Sequence, residues 1–306
     1  MFGSMTGYAK FLSVFLLLEL AAAVKKSQTP DSHIIGGQDA SFSSWPWQVG
    51  LISSYEIFCG GTLISYDVVI TAAHCLEGRR KFNLNVVLGE YNRLFWEGYE
   101  QYIPVKRYEL HPEYSNEFLR GFDIAVLFLE RNATPSFRVR PIPGIAQQTL
   151  YYKTCDCFIT GWGVQSSGNP AATSRDLKPS ADLSGSMAVT LQEARIEVIT
   201  NSKCNSKRYW DGLVKTTNLC AFYKGTAACE GDSGGPLVCK VNDQYTLVGV
   251  TSWGSSSCMS YPTVFVDVAK FFPWIEEKTQ KHRMNILDIN INDTKLEVNI
   301  DIFPGR

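Results

Sequence analysis

Between Ile34 and about Thr279, short runs of β-branched and aromatic residues are separated by clusters of Gly, Pro, Asn and Ser, with little helical periodicity. Runs that alternate apolar and polar positions are the signature of strands with one buried face. The pattern predicts a first set of strands at Trp47–Ile52, Gly61–Ser65, Val68–Thr71, Asn85–Leu88, Tyr102–Leu110 and Ile124–Leu129. A second set is predicted at Cys157–Gly161, Gln192–Thr200, Asn218–Phe222, Pro236–Val241, Thr246–Ser252 and Thr263–Val268. The fold class is therefore all-β: two six-stranded antiparallel units, each closing its edges as a barrel.

Arg131 to Lys153, rich in Pro and Arg and without a clear period, reads as the crossover between the halves, so a functional site is expected in the cleft between them. Ser166 to Met187 is a loop long enough to suggest function or mobility. Phe271, Phe272, Trp274 and Ile275 predict a closing helix over Val268–Lys278, with Pro273 near its start, where a first turn tolerates it. Ile286 to Phe303 alternates apolar and polar residues around Asn292-Asp293, as either a β-hairpin or a disordered tail would.

The N-terminus changes the picture. Lys10 precedes the apolar run Phe11 to Val24, which ends in Ala21, Ala22 and Ala23, the form of a secretory signal peptide over residues 1–23. The run is interrupted by Glu19 and falls short of the roughly 20 residues that span a bilayer. No later segment is long and apolar enough to cross one, so a secreted, extracellular product with no membrane span is expected. In a chain of 306 residues, 45% hydrophobic and 19% charged content suits a packed globular protein. Lys plus Arg number 29 against 30 Asp plus Glu, which leaves no electrostatic footprint for nucleic acid. Nine cysteines without a repeated Cys-x-x-Cys pair point to disulfides and an oxidising compartment.

Cleaving a peptide bond takes a nucleophile, a base, a carboxylate to orient the base, and donors for the oxyanion. Ser233 lies in Gly231-Asp232-Ser233-Gly234-Gly235-Pro236, where small residues let the Gly231 and Ser233 amides approach a developing oxyanion. His74 lies in Thr71-Ala72-Ala73-His74-Cys75, and Asp123 begins Asp123-Ile124-Ala125-Val126-Leu127. Only His33, His111 and His282 compete for the role of base. Taken singly, each motif residue has a bland reading, as a turn serine, a core histidine or a capping aspartate.

In the order His, Asp, Ser, these motifs resemble the chymotrypsin-fold serine proteases. The resemblance extends to Ile34-Ile35-Gly36-Gly37, Gly161-Trp162-Gly163 and Ser252-Trp253-Gly254, and covers Ile34 to about Thr279. It implies a serine endopeptidase with its active site between two barrels, needing no catalytic cofactor and acting on protein or peptide substrates. His74 would take the Ser233 proton, Asp123 would hold the imidazole tautomer, and Ser252, Trp253 and Gly254 would pair with the substrate main chain. A catalytically silent binding or regulatory protein on the same scaffold is the alternative, and protein protease inhibitors are further partners that the resemblance implies.

The resemblance also implies disulfides Cys59 with Cys75, Cys157 with Cys239, Cys204 with Cys220, and Cys229 with Cys258. Cys155 is left as a buried thiol or an intermolecular bridge. The position six residues before Ser233 holds Ala227, where relatives that cut after Arg or Lys carry an acid. With Thr263 in the pocket, Gly254 at its mouth and Glu230 on its rim, medium aliphatic P1 residues are expected before aromatic ones. Glu90, Glu97 and Glu100, with the main-chain oxygens of Asn92 and Phe95, have the spacing of the family's calcium loop and suggest a structural ion.

As a zymogen the chain would divide into a signal peptide (1–23), a propeptide (24–33), a protease domain (34–279) and a C-terminal extension (280–306). An activating protease would free Ile34, whose ammonium would pair with Asp232. Relatives usually offer Arg or Lys at the preceding position, and here it is His33, so trypsin is expected to fail at this bond. Cleavage at Lys25 or Lys26 would leave an N-terminus too long to reach Asp232, and trimming by dipeptides from Val24 would be obstructed at Pro30. Asn132-Ala133-Thr134 and Asn292-Asp293-Thr294 are N-glycosylation sequons.

Overall fold

The strands of the first half pair into a closed antiparallel barrel. After the short β1 (Gln38–Asp39) come β2 (Gln48–Ser53), β3 (Glu56–Ser65), β4 (Val68–Thr71), β5 (Asn85–Leu88), β6 (Gln101–Leu110) and β7 (Ala125–Leu129), closed in the order β2-β3-β4-β7-β6-β5. This computed structural model describes residues 34, 37–79, 83–115, 119, 121–149, 156–164, 187–255, 258 and 260–298, with side chains as far as 284. Cys155, His33, Lys25, Lys26, Pro30, the signal segment and nearly all of the loop from Ser166 to Met187 lie outside the described residues.

In β6, Ile103 and Val105 are buried while Tyr102, Pro104 and Lys106 are exposed, the alternation that period two demands. Strand β7 is buried along its whole length because both of its faces are covered. Leu127 and Leu129 fill the main core, while Val126 and Phe128 join Val68 in an outer cluster packed against Trp274.

The second half forms a nine-stranded sheet curved as a half-barrel, together with β8 (Gly144–Ile145), β9 (Cys157–Gly161), β10 (Gln192–Ile196), β11 (Val198–Ile199), β12 (Asn218–Ala221), β13 (Pro236–Val241), β14 (Gln244–Trp253) and β15 (Thr263–Asp267). Its order is β1-β10-β9-β13-β14-β15-β12-β11, with β8 alongside β14. The six longer strands match the predicted set closely. The extra ones, β1 and β8, are two residues each, too short for any alternation to announce them, and the expected strand Gln192–Thr200 is divided at Glu197 into β10 and β11.

Strand β3 begins five residues earlier than expected. Its hairpin with β2 turns at Ser54 and Tyr55, which have φ of 54° and 69°, so both occupy the left-handed region of a type I′ turn without the usual Asn-Gly. Helix α1 (Asn201–Cys204) is a single turn, and α2 (Val268–Val298) closes the chain. Two expectations need correction there. Pro273 lies in the second turn of α2 and so removes one helical hydrogen bond. The helix also runs past Lys278 through the stretch read as hairpin or tail, placing Asn292 in helical backbone as far as Val298. No Gly or Pro follows Pro273 before Pro304, so nothing in the sequence stops a helix once nucleated.

Phe271 and Ile275 are buried in the main core, and His111 packs between Phe122, Phe271 and Trp274. Further along α2, His282 Nε2 lies 2.8 Å from Asp67 Oδ2, its ring against Phe128. Two of the competing histidines thus have structural partners. Among the described residues no helix is long and apolar enough to cross a membrane.

Candidate active site

β4 and β7 are neighbours in register Thr71↔Ala125. The chain leaving β4 and the chain entering β7 therefore meet at one edge of the barrel, which brings together His74, in the 3₁₀ turn Ala73–Cys75, and Asp123. Asp123 is fully buried, and its carboxylate takes three donors. Oδ1 accepts the His74 backbone N–H at 2.8 Å, and Oδ2 accepts His74 Nδ1 at 2.7 Å and Ser252 Oγ at 2.6 Å. A buried charge so satisfied holds the ring with its proton on Nδ1 and leaves Nε2 as the proton acceptor. Burial of the imidazole disfavours its charged form, but attraction and hydrogen bonding from Asp123 outweigh it, so the His74 pKa is raised.

Ser233 sits on a backbone clamped to both halves. Its carbonyl accepts the Gly60 N–H at 2.8 Å, while Gly234 N–H donates to Thr251 O and Thr251 N–H to Gly235 O. Gly234 is required here: at φ of 77°, a Cβ would lie 2.2 Å from Thr71 Oγ1. The Cys59–Cys75 disulfide ties this corner together, with Cys75 Sγ 3.8 Å from His74 Nε2 and 3.7 Å from Ser233 O. Because both cysteines are oxidised, their cluster with His74 offers no thiolate to a metal. Gly231 has φ of 93°, and a Cβ on it would meet Met187 Cε at 3.0 Å.

Asp232 is buried, accepting the Gly163 N–H on Oδ1 at 2.8 Å and the Cys229 N–H on Oδ2 at 2.9 Å. Burial pushes its pKa up to about 6 against the pull of those two amides. Ile34 is buried in the apolar cluster that also holds Ala228, the neighbour of Cys229. Ala227, Ser252, Trp253 and Thr263 are buried, Glu230 is exposed, and the space a Cβ would fill at Gly254 is open. Trp253 packs edge-on against Trp210, whose Nε1 donates to Pro262 O. Besides Cys59–Cys75, disulfides join Cys157–Cys239, Cys204–Cys220 and Cys229–Cys258.

Glu90, Glu97 and Glu100 bring carboxylate oxygens within 4.8 Å of one another. Burial raises the Glu90 pKa to about 7, and the neighbouring Glu100 and Glu97 add to the rise. Glu100 accepts the Glu97 and Tyr99 amides, the Asn92 carbonyl accepts the Phe95 N–H, and the buried Arg138 holds Glu97 Oε2 with two 2.9 Å bonds.

Sequence reasoning missed Ser252 as a donor to Asp123, Gly60 as the clamp on Ser233, Met187 beside Gly231, and Arg138. The Gly60-Gly61 pair was the one available signal, a place where two backbones approach closely.

The family model described as Trypsin matches residues 34–275. Over 256 residues the chain is 40% identical to chymotrypsin-like elastase family member 1 of Bos taurus, covering 80% of this chain and 89% of that protein. The Rattus norvegicus protein of that name is 36% identical over 254 residues, with the same coverage. The Macaca fascicularis protein is 34% identical over 279 residues, covering 88% of this chain and 97% of its own.

Proposed function

This chain belongs to the trypsin family and is a serine endopeptidase, and from that premise we propose that it is a secreted zymogen whose cleaved form acts through Ser233, His74 and Asp123. The observation that carries the reading is the buried Asp123 carboxylate bound to His74 Nδ1 and Ser252 Oγ, with His74 and Ser233 meeting at one disulfide sulfur. Enzymes of this family need no catalytic cofactor. Ser233 Oγ attacks the substrate carbonyl as His74 Nε2 takes its proton, and the Gly231 and Ser233 amides hold the oxyanion. His74 then gives the proton to the leaving amine, and water hydrolyses the acyl-enzyme by the same relay.

Ala227 supplies no charge for an Arg or Lys side chain, which would be buried without a partner. The bovine, rat and macaque relatives are named elastases, and a pocket with Ala227 and Thr263 suits medium aliphatic P1 residues. Peptide-library profiling of the processed protein, with Ser233→Ala as control, tests this. Cleavage after Leu, Met or Val that disappears in the variant is the expected result, and a profile dominated by Arg or Lys would refute it.

The convergence of Glu90, Glu97 and Glu100 suits a hard cation. A structural calcium ion held by these carboxylates and the carbonyls of Asn92 and Phe95 would relieve their mutual repulsion. Arg138 neutralises Glu97 in part and leaves Glu90 and Glu100 to the ion. Calorimetric titration with calcium checks this. Activation joins the freed Ile34 ammonium to Asp232, after cleavage by a protease that accepts His33.

A further inference from the structure

Six of the twelve large apolar side chains exposed among the described residues, Leu94, Phe95, Trp96, Tyr99, Tyr102 and Phe137, gather around one loop beside the first barrel. Scattered apolar residues need no explanation, but a contiguous patch marks a surface that something covers. Trp96 and Tyr102 form a near-parallel pair within it: their ring centroids lie 6.2 Å apart with the planes 14° from parallel, and the two residues remain 70% and 47% exposed, which leaves an outward ring face open. Parallel aromatic faces with polar edges match the C–H face of a pyranose ring, which stacks on them while its hydroxyls stay in water.

A sugar acceptor site lies alongside. Ala133 turns inward, with its N–H on Tyr66 O at 2.7 Å, so Asn132 and Thr134 face solvent on either side of it. Thr134 N–H donates to Gln101 Oε1, Gln101 Nε2 donates to Thr134 O, and Arg131 donates to Tyr102 O. The segment 131–134 therefore runs beside Gln101 and Tyr102, at the edge of the aromatic platform. We infer that Asn132 carries an N-linked glycan whose first N-acetylglucosamine stacks on Trp96 and Tyr102, so that the chain's own carbohydrate covers the patch.

The transfer takes place during export, and the inference rests on the export reading. The Asn132 amide nitrogen forms a bond to the anomeric carbon of a polyprenyl-pyrophosphate-linked oligosaccharide. The bond from that carbon to the pyrophosphate oxygen breaks, and the amide loses one proton. Tethering at Asn132 keeps the sugar at a high local concentration over the platform.

The full chain is secreted from cultured animal cells, and Asn132 occupancy is read by peptide mass spectrometry on protein from the medium. Glycan release by an N-glycosidase is then timed on the native protein and on Trp96→Ala and Tyr102→Ala, with Thr134→Ala as the glycan-free control. Occupied Asn132, with release about three- to tenfold faster in either platform variant, is the expected result. Secreted protein with bare Asn132 overturns the inference while leaving the export reading intact, and retention in the cells without glycan overturns both. Equal release rates overturn the stacking. Binding of the glycosylated protein to phosphatidylcholine vesicles, lost in Trp96→Ala, would overturn it in favour of a lipid surface.

Discussion

At His74, the proposed base, few groups set the proton affinity. Its pKa is raised because the Asp123 carboxylate, through charge and a 2.7 Å hydrogen bond, outweighs the burial that opposes protonation. In the proposed relay the ring must be neutral to accept the Ser233 proton, so activity is expected to fall as the pH drops through this raised value. The acid limb of kcat/KM is therefore expected above the ordinary histidine value of about 6.5, a result readable from a pH–rate profile of the processed enzyme. Asp123→Asn is expected to cost about 10⁴-fold in kcat at neutral pH, a size taken over from the family's own triad, because the ring is then held in the wrong tautomer. The residues proposed as the triad stand in short motifs, and the hydrogen bond between His74 and Asp123 joins two of them. The donor from Ser252 was not legible in the sequence, because it lies 129 residues from Asp123 and only the paired halves bring it there.

At the scale of elements, alternation revealed strands wherever one face was wet, and long apolar runs wherever both faces were covered. It failed for β1 and β8, and at Ser54 and Tyr55, where a type I′ turn is made from residues that disfavour positive φ. Replacing the pair by Asn-Gly is expected to raise stability by about 1 kcal/mol, or roughly 2–4 °C in Tm by thermal unfolding. The end of α2 was misread for a different reason. Isolated apolar residues between Asn and Asp fit a period of two as well as a helix, and only continuity from a docked helix decides between them. That docking rests on Phe271 and Ile275, and further along on His282 against Asp67 and Phe128. The carboxylate loop was legible from its spacing, whereas Arg138 was not, since a lone arginine in a Pro-rich crossover announces no partner.

For the whole molecule, the buried Asp232 would connect the proposed maturation to stability. Before cleavage its carboxylate is served by two amides and no cation among the described residues, and its pKa stands at about 6 against 3.8 when unfolded. An acid shifted upward in this way costs stability as pH rises from about 4 through 6, in full above that, on the order of 3 kcal/mol. The freed Ile34 ammonium would remove that cost. The processed protein is thus expected to unfold at a higher temperature than the unprocessed one at pH 7.5, with the gap narrowing as pH falls below 6. Calorimetric scans of both forms across that range check it.

Ser233 is expected to become a nucleophile when Ile34 is freed, and covalent labelling reads that change at the atom concerned. An active-site phosphonate with an aliphatic P1 group is reacted with the unprocessed chain, with protein cleaved after His33, and with the cleaved Ser233→Ala variant, and the adduct is mapped by mass spectrometry. One adduct, on Ser233, is expected in the cleaved protein alone. An unlabelled cleaved protein whose N-terminus is Ile34, or equal labelling of the Ser233→Ala variant, would contradict that expectation.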